Sequence, residues 1–294
     1  MFVFLLALKH PDTANDYATV ERLLSTTLHS LLGQTSEHFK IVVVCNRVPD
    51  IEPKDPRIHF HHVAFPPVSK VNGKLHPVEK FTDKGSKYLS GLLFAKQFNP
   101  SYVYIVDSDD WVNVDIVKFF EQCKPAPVWY VDAGCFVNLE TNEYKKRAGL
   151  LRYCGSTFVY DYHFLMKVAD IKNNIDAAST QQALIAATSE FFVINLLSNH
   201  LINYQHYKNM GSKPKPIPLR AACWIQGTGE NVSQTAGGDA GLPIDKKFCD
   251  TFHVPYSFIP EHKQNLALKL RDFFAHMQSL AKWQYSKITG NKVF

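Results

Sequence analysis

Apolar positions along this chain follow two alternating rhythms. Phe2 to Leu8 is an unbroken apolar run of strand length, and Val20, Leu23, Leu24, Thr27, Leu28, Leu31 and Leu32 then recur at the spacing of one helical face. Gly33 predicts the end of that helix. Phe39 to Cys45, FKIVVVC, reads as a second buried strand, so the chain opens as β-α-β, a unit whose strands are parallel and whose crossover is right-handed. Arg57 to Val63 predicts a short alternating strand, followed by a loop containing Pro, Lys and Gly from Phe65 to Gly85. Leu89, Leu92, Leu93 and Lys96 mark a helix that delivers the chain to Tyr102–Val106, a β-branched and aromatic run suited to a strand buried on both faces of a parallel sheet.

The later pattern is more broken. Val128 to Val137 predicts a strand, LETNEYKKRAG a hairpin or excursion, and YCGSTFVY another strand, with Gly155 and Ser156 where backbone could approach a ligand. Thr180 to Tyr207 is helical in composition but interrupted, Thr188 and Ser189 capping a helix that begins at Glu190. A carboxylate in that first turn is expected to face a cleft rather than the core. Lys213 to Pro218, KPKPIP, is linker or edge strand, because alternating prolines cannot donate to a central ladder. Gln226 to Gly241 holds five glycines and reads as a loop, either lid or linker. It is neither a P-loop, lacking Gly-Lys-Ser/Thr, nor a dinucleotide loop, since Val232 stands at the third glycine position. From Glu261 to Tyr285 the spacing of Leu266, Leu268, Leu270, Phe273, Phe274, Met277, Leu280 and Trp283 predicts an amphipathic helix docked on the body of the protein, with contact to a membrane or partner as the sharper alternative.

These elements give an α/β fold class: a Rossmann-like, mostly parallel central sheet flanked by helices, with a C-terminal helical extension. The expected division is 1–115 and 116–225 as two halves of one domain, and 226–294 as loop and helix packed on it.

Composition narrows the function classes. With 46% hydrophobic and 20% charged residues the chain is globular, and 32 Lys and Arg against 27 Asp and Glu, a net charge of +5, is too mild and dispersed for a nucleic-acid partner. The six cysteines show no C-x-x-C and no zinc spacing, so reduced, buried thiols in a cytoplasmic protein are expected. The apolar N-terminus lacks a basic leader and reads as the first strand rather than a signal peptide.

The candidate chemistry lies in SYVYIVDSDDWVN, Ser101 to Asn113. A buried strand runs into Asp107, Asp109 and Asp110, and ligands of open α/β sheets gather at the carboxyl ends of strands. Crowded carboxylates call for a cation among them, and hard oxygen donors suit Mg²⁺ or Mn²⁺ bridging to phosphate oxygens. The triplet therefore reads as a D-x-D metal and nucleotide-sugar site.

The order of parts resembles the family 2-like glycosyltransferases of the GT-A fold, in the nucleotide-diphospho-sugar transferase superfamily. From Phe2 to Tyr207 the likeness is carried by the first strand, a helix ending SLLGQT, the strand FKIVVVCN, the segment DKGSK (Asp83 to Lys87), and YIVDSDDWV. The resemblance implies inverting sugar transfer from a nucleoside-diphosphate sugar to a hydroxyl of a glycan or lipid-linked acceptor, in surface polysaccharide synthesis. It implies that Asp107, Ser108 and Asp109 place the metal, donor ribose and diphosphate, with Asp110 supporting. Lys84 and Lys87 would lie beside the diphosphate and Lys9 and His10 would flank the nucleotide. Where many relatives have an acidic residue after the second strand, this chain has Cys45, Asn46 and Arg47, leaving Asn46 to contact base or ribose. Glu190 is the first candidate for the base that takes the acceptor proton, Asp176 the second and Asp170 the third; His200 or His206 would complete the metal site. Trp111, Tyr153, Tyr160 and Trp224 are candidates to stack on sugar rings.

Rival readings stay open. A sugar-phosphate nucleotidyltransferase would share the fold but should carry a Gly-rich basic loop after the first strand, where LKHPDTAND has none. A D-x-D-x-T phosphatase is disfavoured by Trp111 at the Thr position. A degenerate relative would bind nucleotide or glycan without transfer.

Overall fold

The computed structural model describes residues 1–172, 174–230 and 241–259. The expected helix at Glu261 to Tyr285 and residues 231–240 of the Gly-rich loop lie outside the described residues.

Strand β1 is Phe2–Ala7, followed by helix α1 (Tyr17–Leu32), β2 (Phe39–Cys45) and β3 (Ile58–His62). A small hairpin, β4 (Lys70–Val71) and β5 (Lys74–Leu75), leads to α2 (Glu79–Ala95) and β6 (Tyr102–Ile105). Next come β7 (Trp111–Val112), α3 (Ile116–Gln122), β8 (Val128–Tyr130), β9 (Gly134–Asn138), β10 (Glu143–Arg147) and β11 (Phe158–Asp161). The remaining elements are α4 (Tyr162–Ala169), α5 (Gln181–Ala187), a π-helix at Phe192–Leu197, α6 (Asn203–Asn209), β12 (Lys215–Pro216), β13 (Ala222–Gln226), β14 (Leu242–Pro243) and α7 (Lys246–Phe252).

The central sheet has the order β12-β8-β11-β6-β1-β2-β3, and only β11 runs against its neighbours. This is the mostly parallel, Rossmann-like α/β sheet flanked by helices that the hydrophobic pattern predicts. Alternate residues of β1 serve opposite faces: Phe2, Phe4 and Leu6 pack with α1 and α3, while Val3 and Leu5 pack with α2 and the π-helix. Each such fully buried side chain contributes roughly 1.5–3 kcal/mol. Of the prolines of KPKPIP, Pro216 lies on the outermost strand, β12, where a missing N–H costs no ladder bond, and Pro214 and Pro218 flank it.

A second sheet, β14-β10-β9-β13-β7, stands beside the first. Val128 to Val137, expected as one strand, is divided between the two sheets: β8 joins the central sheet and β9 the second, with residues 131–133 making the passage. The predicted boundary after residue 225 falls within β13, whose Gln226 still pairs with Asn138. Beyond it, β14 and α7 pack through Ile244, Phe248, Cys249 and Phe252 on the second sheet, an arrangement with no advance sign in the sequence. All six cysteines are unbridged. No helix among the described residues is long and apolar enough to cross a membrane.

Two glycines act differently from expectation. Gly33 ends α1 with φ −75°, so no left-handed cap is used; a Cβ there would fall 2.0 Å from the His253 side chain, which closes over the helix end. The loop expected up to Gly85 ends earlier, because α2 already begins at Glu79. Gly85 sits inside that helix, where a Cβ would fall 2.0 Å from the Val193 carbonyl oxygen, so α2 and the π-helix meet backbone to backbone.

Candidate functional site

The parallel strands β1 and β6 end side by side, and their carboxyl ends open into a groove of about 470 Å³. Leu8, Lys9 and Thr13 line it after β1, Lys84 from α2, and Asp107, Ser108 and Asp109 after β6. Tyr153, Gly155, His200 and Trp224 face them, and Glu230 lies at one rim with Lys9. The groove stands where strand ends leave backbone and side chains free of the sheet.

The three aspartates have separate environments. Asp107 accepts from Lys84 Nζ at 2.5 Å and from the Tyr88 hydroxyl at 3.3 Å. Burial opposes its ionisation, but the adjacent Lys84 charge and hydrogen bond hold its carboxyl below the ordinary range. Asp109 is pushed up to about 7 by burial and by the Asp107 charge. Asp110 is 1% exposed and points away from the groove. It accepts from Ser156 Oγ at 2.6 Å, Cys154 Sγ at 3.1 Å and the Ile225 N–H at 3.1 Å, and burial drives its pKa well up. The metal role expected of Asp110 is therefore corrected: its oxygens tie β13 and the turn before β11 to the end of β6. Ser156 Oγ also accepts from the Asp107 N–H, at 2.8 Å, and a Cβ on Gly155 would fall 2.4 Å from Asp107 Oδ2. Gly155 and Ser156 thus approach the carboxylates, and Gly155 also lines the groove.

Lys84 and Lys87 part company. Lys84 reaches the groove, but the Lys87 side chain is 1% exposed and donates to Asp83 Oδ2 at 2.8 Å and to the Leu8 carbonyl at 2.9 Å. It braces the end of β1 from within the groove wall, its ammonium held by Asp83 and the Leu8 carbonyl. His10 is likewise buried, its Nδ1 accepting from the Asp12 N–H at 3.1 Å as the cap of a short 3₁₀ turn, so it does not flank the groove. Lys9 does, and there it pairs with Glu230 Oε2 at 2.7 Å. Asn46 lies off the groove and donates to the carbonyls of Val63, at 3.2 Å, and Phe65, at 2.9 Å. Ser108 lines the groove with its carbonyl held by Thr27 Oγ1 at 3.1 Å.

His200 faces Asp107 and Lys84 across the groove. Its Nε2 is buried with no hydrogen-bond partner, and burial lowers its pKa to about 4, so the ring is neutral. His206 is elsewhere, packed on Phe191 and Tyr207. Asp107, Asp109 and His200 offer oxygen and imidazole donors on one groove, although no three His, Cys, Asp or Glu side chains converge into a ready-made cluster among the described residues. That set fits Mg²⁺ or Mn²⁺, ions commonly held by one or two carboxylates plus substrate phosphates rather than by a closed protein cage.

The candidate bases do not line the groove. Ser189 caps the helix that starts at Glu190, its Oγ accepting from the Phe192 N–H at 3.1 Å, and Glu190 is exposed. It precedes by three residues the Val193 carbonyl that packs on Gly85, next to groove-lining Lys84. Asp176 accepts from Ala178 N–H and Ser179 Oγ in its own turn, and Asp170 pairs with Lys172 at 3.5 Å at the left-handed end of α4. Of the aromatic candidates, Trp111 and Tyr160 are core residues, 1% exposed, whereas Tyr153 and Trp224 line the groove.

Sequence reasoning missed Glu230 and Tyr88. Glu230 accepts from Lys9 and from the N–H groups of Asn15, at 3.3 Å, and Asp16, at 2.7 Å, thereby fastening the Gly227–Glu230 segment to the start of α1. Its separation of 221 residues from Lys9 left no local signal.

No family model matches the chain, and no curated protein does either. Among solved structures it is similar to S. aureus TarS 1-349 in complex with UDP-GlcNAc, at 15% identity and a TM-score of 0.42, covering 80% of this chain and 61% of that one. It is also similar to the glycosyltransferase GlyE of Streptococcus pneumoniae TIGR4, at 12% identity and a TM-score of 0.33, covering 74% and 45%. HddC from Yersinia pseudotuberculosis matches at 10% identity and a TM-score of 0.38, covering 75% and 92%. The chain spans about three fifths of the TarS fragment. With these TM-scores below 0.5, the case for function rests on this chain's own residues.

Proposed function

We propose that this protein is an inverting glycosyltransferase that moves a sugar from a nucleoside-diphosphate donor to a hydroxyl of a glycan or lipid-linked acceptor, in surface polysaccharide synthesis at the cytoplasmic side of the membrane. The observation that carries the reading is the pairing of Asp107 and Asp109 at the end of a central parallel strand, with Lys84 on one side and the unpartnered Nε2 of His200 on the other. Asp107, Asp109 and His200 would hold Mn²⁺ or Mg²⁺, which supplies charge neutralisation on the departing nucleoside diphosphate.

The chain's own residues do the rest. Tyr88 and Lys84 keep Asp107 oriented and ionised, and Lys84 presents its ammonium to donor oxygens. Glu190, exposed at a capped helix start near the α2 wall, is the proposed base. Its carboxylate takes the proton of the acceptor hydroxyl as that oxygen bonds to the anomeric carbon. The bond from that carbon to the diphosphate oxygen breaks on the opposite face, and its electron pair leaves with the diphosphate, so the configuration inverts.

A thermal-shift panel of UDP, GDP, CDP and dTDP with and without Mn²⁺ tests the donor site, since ligand at 100 times its Kd stabilises the native state by about 2.7 kcal/mol. The expected result is a Mn²⁺-dependent rise with one nucleotide that Asp109→Ala abolishes. No rise with any nucleotide overturns the reading. One observation favours a second reading, binding without transfer: none of Glu190, Asp176 and Asp170 lines the groove. Nucleotide binding with no donor turnover or hydrolysis would select it.

A further inference from the structure

One stretch of the groove wall has no part in the donor chemistry. Tyr153 and Trp224 lie nearly parallel, 22° apart with ring centroids separated by 6.3 Å. Phe136 stands edge-on to both, at 5.2 Å and 80° from Tyr153 and at 5.0 Å and 79° from Trp224, which locks their planes. Tyr153 is 40% exposed, a large amount for an aromatic side chain held in place by neighbouring rings. It lies two residues before Gly155, where a Cβ would fall 2.4 Å from Asp107 Oδ2, and both line the groove, so the aromatic ledge is set beside the carboxylates.

The rim of this ledge is cationic. Register places Lys145 opposite Phe136, and Phe136 opposite Trp224, on one face of the second sheet. Arg147, two residues along on the same face, holds its guanidinium 5.4 Å from the Phe136 ring centroid and 5.6 Å from that of Tyr153. Among the described residues no carboxylate lies within ion-pair distance of Arg147. A guanidinium stacked on rings keeps its edge N–H donors directed outward, in the fork that matches a carboxylate or phosphate.

From this juxtaposition we infer that Tyr153, Trp224 and Arg147 form the acceptor subsite, and that the acceptor is an anionic glycan whose sugar ring stacks on the aromatic ledge while its carboxylate or phosphate pairs with Arg147. The inference rests on the transferase reading for the word acceptor, but the binding site stands on its own geometry. Flat aromatic surface takes the apolar face of a sugar without regard to charge; the fixed cation adds the selection for an anion.

Saturation-transfer NMR on the full chain, with UDP and Mn²⁺ present to fill the donor end, tests this with three probes. They are maltotetraose as the neutral sugar, a hyaluronan tetrasaccharide as the uronate, and glucose 6-phosphate as the phosphate. The wild type is expected to bind one or both anionic probes at least about tenfold more tightly than maltotetraose, the factor that one charge-assisted hydrogen bond of roughly 1.4 kcal/mol supplies. Which anionic probe wins separates uronate from phosphate. Arg147→Ala should erase the preference while leaving weak binding of all three, and Tyr153→Ala should weaken all three alike. Nucleotide-induced stabilisation, measured on the same samples, separates the two levels of the argument. Anion preference that depends on Arg147 without any nucleotide shift leaves the subsite standing and removes the transferase reading. A nucleotide shift with equal affinity for neutral and anionic probes, or an Arg147→Ala protein that keeps the preference, overturns the subsite.

Discussion

Lys84 and Lys87 lie one helical turn apart in α2, and removing each should fail in a different way. Lys87→Met deletes an ammonium that is 1% exposed and leaves the Asp83 carboxylate, 11% exposed, without its partner. The Leu8 carbonyl loses its donor in the same step. Breaking a buried pair from one side costs roughly 3–5 kcal/mol. For a chain of this size about 2 °C of Tm goes with each kcal/mol, so the transition should fall by about 6–10 °C. The double variant Lys87→Met/Asp83→Leu should recover most of the loss, because no buried charge is then stranded. Lys84→Met removes the counter-charge of Asp107 at the groove surface, so its loss should be marked at pH 8 and shrink on acidification or on adding Mn²⁺. Differential scanning fluorimetry of the four proteins from pH 5 to 8, with and without Mn²⁺, reads all of this. A Lys87→Met protein with wild-type Tm and no nucleotide binding would refute the assignment of Lys87 to the framework.

Three further outcomes are expected. Asp109 has a folded pKa raised to about 7 against an ordinary 3.8, so the metal-free native state binds a proton that the unfolded chain has released, and stability should fall as pH rises from about 4 through 7. Asp109→Asn should flatten that fall in pH-dependent melts with chelator present, and an unchanged slope would count against the shift. Gly155→Ala places a methyl group 2.4 Å from Asp107 Oδ2 and should displace that carboxylate, weakening Mn²⁺-dependent nucleotide binding by about tenfold or more in calorimetry, with 1–3 kcal/mol of stability lost to overpacking. Glu190→Gln should lower donor turnover by about 10²-fold or more while the nucleotide-induced thermal shift persists; wild-type turnover would remove Glu190 as base.

Local order made most of the framework readable in advance. Strand β2 has the bounds its apolar run announces, Phe39 to Cys45, and α1 carries the stripe from Val20 to Leu31 inward. Such patterns are legible because burial on a sheet or helix face repeats with the period of the backbone itself. The acidic turn after β6 was legible for the same reason, since a buried parallel strand must end where a groove can form.

What tertiary structure decided was which member of each chemical pair faces the groove. Asp109 faces it while Asp110, the next residue, turns inward to Ser156 and Ile225; Lys84 holds its ammonium on Asp107 while Lys87, in the same wall, is buried on Asp83 and the Leu8 carbonyl; Trp224 faces it while Trp111 joins the core. The clasp of Glu230 on Lys9 joins residues 221 positions apart. Residue type and spacing specify the available chemistry, but a side chain's exposure is set by elements that arrive from elsewhere in the chain. The burial that separates a ligand-facing carboxylate from a structural one exists only once β11, β13 and the π-helix have packed around the end of β6.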